Sequence, residues 1–140
     1  MSERGSMMPL FGGAIVLLLT MVTGVAVATS LLIERQRLYS LADGAAVFAS
    51  ESFDPAFVSK EGLRIRAPLD SFRVQQSAEE FLAKVGSHAL SGVVLESAST
   101  SDGWRAHVEL SSVWVPPIVS DFFPAPIRLF VEARAQTILR

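Results

Sequence analysis

The sequence predicts an α+β fold: one long N-terminal helix crosses a membrane and continues outward to pack beneath a small antiparallel sheet, with a second, short helix beside it. Three observations lead there. Residues Met7 to Ile33 carry no charge, the apolar spacing beyond them stays helical, and the C-terminal part of the chain alternates apolar and polar residues. The 140 residues are 50% apolar and hold 12 basic against 14 acidic groups, two histidines and no cysteine. A net charge of -2 leaves no basic face for a phosphate backbone, so no nucleic-acid partner is expected. The absence of cysteine excludes disulfides, thiol chemistry and cysteine-ligated metal centres.

Residues 1–6 read as a short leader, and 7–33 as a transmembrane helix. At 1.5 Å per residue the 27-residue run MMPLFGGAIVLLLTMVTGVAVATSLLI makes about 40 Å of helix, more than the roughly 30 Å hydrocarbon core of a bilayer. Membrane lipid is therefore the first expected partner. A cleaved secretory signal is the alternative, because Arg4 precedes the run and Ala26-Val27-Ala28 has the small-residue spacing of a cleavage site. The run outlasts the roughly 7 to 15 apolar residues of a signal core and goes on through Leu31, Leu32 and Ile33, which favours a retained anchor. Charge does not orient it: Arg4 and the terminal amine nearly balance Arg35 and Arg37.

Beyond the span, Leu38, Leu41, Ala42, Ala45, Phe48 and Ala49 recur on one helical face while Arg37, Ser40, Asp43 and Ser50 fall off it. One helix from about Pro9 to Ser52 accounts for this, with Asp54-Pro55 as its stop. Ser77 and Glu80 form a capping box ahead of Phe81, Leu82 and Val85, which predicts a second helix over Ser77 to Ala89, starting as early as Asp70. Three strands follow. Gly92 to Ala98 joins Trp104 to Ser111 through the turn Ser101-Asp102-Gly103, and Ile127 to Leu139 alternates as a long half-buried strand. Pro116, Pro117 and Pro126 make the intervening segment a loop.

Candidate functional residues are those of contact, not of chemistry. Thr20, Gly24 and Ala28 form a small-residue face that lets membrane helices approach, although such residues are common in membrane helices generally. Ala42, Ala45, Ala46 and Ala49 are a second small face, read as helix-on-sheet packing. Trp114, Phe122 and Phe123 gather near prolines, and Phe130 stands on the nominally wet side of the last strand. These four are candidate subunit contacts, with a loop tucked over the sheet end as the alternative. His107 and His88 lack a spaced nucleophile, carboxylate orienter or ligand set, Glu79-Glu80 suit a helix first turn, and Gly12-Gly13 has no phosphate-loop context. No catalytic, cofactor-binding or metal-ligating residue is nominated, and no small-molecule substrate is expected.

The step Arg4-Gly5-Ser6, the long apolar run, Glu34-Arg-Gln-Arg37 and the alanine-rich LADGAAVFAS of Leu41 to Ser50 together resemble the TadE/TadG-like proteins of Tad (tight adherence, Flp) pilus systems. The alternating Val131-Glu-Ala-Arg-Ala135 is similar to the last strand of such proteins. The resemblance covers about Arg4 to Ser50 well and the last third weakly. It implies a pilin-like minor component of a pilus or related secretion apparatus, single-pass in the plasma membrane. The N-terminus would be cytoplasmic and 34–140 an extracytoplasmic α+β domain, with other pilus or secretion-system subunits as partners. It also implies cutting by a prepilin peptidase between Gly5 and Ser6. Leu10 departs from the pattern, since processed pilins usually carry a glutamate there. A second function class stays open: an anchored extracytoplasmic binding or accessory domain that never enters a filament.

Overall fold

With its only proline in the first turn, where the missing N–H donor has no intrahelical partner to lose, the segment from Met7 to Ser50 forms one unbroken 44-residue helix, α1. The computed structural model describes residues 7–54, 59–61, 64–66, 68–86, 90–117 and 125–136. Two serines end α1. Ser50 Oγ donates to the Val47 carbonyl at 2.8 Å and Ser52 Oγ to the Ala49 carbonyl at 2.6 Å, and the Glu51 and Ser52 N–H groups close three-residue turns onto Phe48 and Ala49. The carbonyls of Val47, Phe48 and Ala49 are thereby satisfied.

A small hairpin follows, β1 (Ser59–Glu61) paired antiparallel with β2 (Arg64–Arg66). Helix α2 (Ser71–Phe81) starts six residues before the capping-box serine, so Ser77 lies mid-helix instead of capping it. Asp70 is its N-cap residue, in extended backbone, with its carbonyl accepting from the Val74 N–H at 2.9 Å. Packing explains the earlier start: Val74 and Ala78, one turn apart, are both fully buried. A π-helical turn, Leu82–Gly86, continues the helix.

The main sheet has β3 (Val94–Ser99), β4 (Arg105–Trp114) and β5 (Ile127–Gln136) in chain order, all antiparallel. Arg105 opposes Gln136 at one end and Trp114 opposes Ile127 at the other. A bulge at Glu96 shifts the β3 register. Gly103, at φ +74°, supplies the left-handed backbone of the β3–β4 turn. The Asp102 carboxylate fastens the same turn by accepting the Trp104 and Arg105 N–H groups, each at 2.9 Å. These bonds, Trp104 before Arg105, hold the Asp102 carboxyl below its usual range.

Ala106, Val108 and Leu110 of β4 and Val131 and Ala133 of β5 turn one way, onto Leu38, Ala42, Ala45 and Ala49 of α1. Alanine at three of those four helix positions brings the backbone of α1 close to the sheet. Helix α2 closes the side, and Gly44 makes room for it: a Cβ there would stand 2.9 Å from Phe81 Cζ. The Phe81 ring instead meets Phe48, centroids 5.8 Å apart. A three-stranded sheet needs one covered face to be stable, and α1 with α2 provides it.

The covered stripe on α1 extends into the apolar run. Every residue from Met7 to Val22 is exposed, whereas Thr23, Val27, Ser30, Leu31 and Glu34 are half-buried at helical spacing ahead of fully buried Leu38. The sheet domain therefore grips the helix well inside the uncharged segment.

Candidate functional site

The feature that sets this molecule apart is the bare end of α1. It is long and apolar enough to cross a membrane, with a mean hydropathy of 2.4 over its most apolar stretch, no residue of which is fully buried. Leu10, Phe11, Leu17 and Met21 are each 64% exposed or more, an arrangement that water does not tolerate and lipid does. This is a candidate membrane span consistent with single-pass anchoring.

Thr20, Gly24 and Ala28 lie one turn apart on exposed helix surface. Thr20 Oγ1 donates to the Val16 carbonyl at 2.8 Å, which satisfies the hydroxyl within the helix. A Cβ placed on Gly24 would meet nothing within 4 Å, so the space in front of it is open to a second helix. The leader positions Gly5 and Ser6 lie outside the described residues.

The aromatic candidates divide. Trp114 is only 5% exposed, and its indole N–H donates to Ser30 Oγ of α1 at 3.3 Å. It is a core residue, not a surface contact, because β4 runs on to Trp114 and the parity of the strand turns it to the helix side with Val108 and Leu110. Phe122 and Phe123 lie outside the described residues. Phe130 is 53% exposed on the opposite face of β5 and remains available to a partner.

That outer face also carries Val94, 46% exposed and in line with Phe130 across Ser111, beside a polar cluster. Glu132 accepts from Arg134 Nε at 2.8 Å and stands 3.5 Å from His107 Nδ1. Arg134 first and His107 second hold the Glu132 carboxyl below its usual range, and Glu132 in turn raises Arg134. A hollow of about 270 Å³ beside this cluster is lined by Ser97, Ser99, Ser101, His107, Glu109 and Glu132. Ser97 Oγ donates to Glu109 at 3.3 Å, and among the described residues no serine hydroxyl bonds the His107 ring. Ser111, buried beneath the same face, donates to Glu96, which lies 3.6 Å from Arg128. Among the described residues no three His, Asp or Glu groups converge as metal ligands.

One surface was not anticipated from sequence. A groove of about 410 Å³ runs between α1 and the π turn after α2, lined by Gln36, Arg37, Ser40, Leu41, Phe81 and Val85. The spacing of Phe81 and Val85, one turn apart, is its only trace in the sequence. No protein-family model, curated protein or solved structure matches this chain.

Proposed function

We propose that this protein is a membrane-anchored, minor pilin-like component of a Tad-type pilus or related secretion system, acting by helix packing in the membrane and by surface contacts outside it. The observation that carries the proposal is the single helix α1, bare and apolar at one end and built into the underside of a three-stranded sheet at the other. A helix used only as a tether needs no rigid join to its cargo. Here the join is rigid, because buried Leu38, Ala42, Ala45 and Ala49 tie its outer half into the core, so a force or displacement on the span is passed to the sheet.

The open face at Thr20, Gly24 and Ala28 supports lateral packing in lipid, and Phe130 supports a contact outside it. The TadE/TadG-like resemblance supplies the system in which such a subunit works. Photocrosslinkers placed at Ala28 and Phe130 in the full chain, activated in native membranes, test this. A ladder of the chain with itself or adducts with pilus subunits is the expected result. A monomer crosslinked only to lipid would overturn it in favour of an anchored accessory domain.

A further inference from the structure

We propose that the end of the sheet where β4 leaves towards β5 is seated in the lipid interface, with Val115 and Ile127 in contact with the headgroup and upper acyl region of the leaflet on the domain's side. The inference rests on α1 being a membrane anchor and says where the domain stands relative to the bilayer.

Depth is fixed by one contact. The Trp114 indole bonds Ser30, which puts the last residue of β4 level with a residue inside the uncharged run, before its first charge at Glu34. Length then limits where the bilayer can sit. The segment free of the domain, Met7 to Val22, makes about 24 Å of helix against a core of roughly 30 Å. To fill the core, lipid must reach past Thr23, where the domain has already begun to cover the helix. The headgroup layer beyond the core then falls at the level of Ser30 and Trp114.

The chemistry of that end suits the position. Residues 114–117 and 125–127 contain no charge, and Val115 and Ile127 are 49% and 45% exposed. Leu32 and Ile33 on the adjoining turn of α1 are also exposed. If the domain stood clear of the bilayer, all four would face water. Arg128, the first charge on β5, has a half-exposed side chain that can reach lipid phosphate from the rim. The uncharged end of the sheet is tied through Trp114 to Ser30 inside the apolar run, which argues for lipid as its occupant.

The chain has no cysteine, so single spin labels can be placed without altering the background. Val115→Cys, Ile127→Cys, Val16→Cys and Gln136→Cys are labelled in the full chain, reconstituted in phosphatidylcholine–phosphatidylglycerol vesicles. Collision rates with oxygen, which prefers lipid, and with a water-soluble nickel chelate are then compared. Val115 and Ile127 should show an oxygen-to-nickel ratio several-fold above that of Gln136, at the far end of β5, and below that of Val16. A ratio equal to that of Gln136, with Val16 still lipid-like, overturns the proposal and leaves the anchor intact. A water-like Val16 overturns both. Protection from both reagents overturns it in favour of a protein occupant.

Should a label disturb the sheet, the two tryptophans give an independent measure. In Trp104→Phe the remaining Trp114 should be quenched several-fold more by lipids brominated near the headgroup than Trp104 is in Trp114→Phe. Equal quenching overturns the proposal.

Discussion

Leu38→Ala tests whether α1 is part of the domain's core. Leu38 is fully buried at the point where the helix passes from half-covered to covered. Removing three carbons forfeits about 2.4 kcal/mol at roughly 0.8 kcal/mol per buried methylene, and an incompletely collapsed cavity brings the loss to about 3–4 kcal/mol. That is a large share of the about 5–15 kcal/mol that holds a domain of this size. With a slope near 3 kcal/mol per molar guanidinium, the unfolding midpoint should fall by about 1 M. The assay is guanidinium unfolding of the full chain in dodecyl maltoside, followed by the fluorescence of Trp104 and Trp114 at the two ends of β4. Leu32→Ala is the matched control, since Leu32 is 65% exposed and contributes nothing to the sheet. Equal midpoints for the two variants would refute the packing of α1 on the sheet.

Ser112 is fully buried and its hydroxyl has no hydrogen-bond partner among the described residues, so Ser112→Ala should raise stability by about 1 kcal/mol, and a loss in the same titration would show that the hydroxyl is satisfied. Gly44→Leu should displace the Phe81 ring and lower stability by about 1–3 kcal/mol, while Gly44→Ala, which gains about 1 kcal/mol of helix propensity against a movable ring, should stay near neutral; equal effects would show that α2 does not press on that turn. Asp102 and Glu132 have carboxyl groups held below their usual range, so what they add to stability is present at neutral pH and lost as pH falls through the carboxylate range. Melting temperatures should therefore drop between pH 6 and pH 3, roughly the window set by ordinary carboxylate values. Asp102→Asn, which keeps an acceptor oxygen without the charge, should flatten part of that drop, and an unchanged profile would argue against the turn as its source.

The elements with long, regular patterns were legible in the sequence, and those shaped by packing were not. α1 announced itself through its apolar run and the stripe from Leu38 to Ala49, and β5 through strict alternation from Ile127 onward. The β3–β4 turn followed from Asp102-Gly103, where positive φ demands glycine. The capping box at Ser77 does not start α2, which begins at the earlier limit the sequence offered, Asp70; a capping box is a local signal, whereas burial of Val74 and Ala78 under the sheet recruits the preceding turn. The β1–β2 hairpin has strands of three residues, too short for alternation to register. Trp114 was misplaced with the proline loop because Pro116 and Pro117 dominate the local pattern; its indole bond to Ser30 joins positions 84 residues apart and leaves no spacing to read. The small-residue face at Thr20, Gly24 and Ala28 was legible as composition, and its openness came only from the structure.

The proposed role requires α1 to remain attached as a single helix from membrane to sheet. Intact mass of the mature chain, taken on material that resists alkaline carbonate extraction of membranes, measures this directly. The chain should stay in the membrane pellet with residues 7–33 present. A carbonate-soluble species beginning at Thr29 would contradict it.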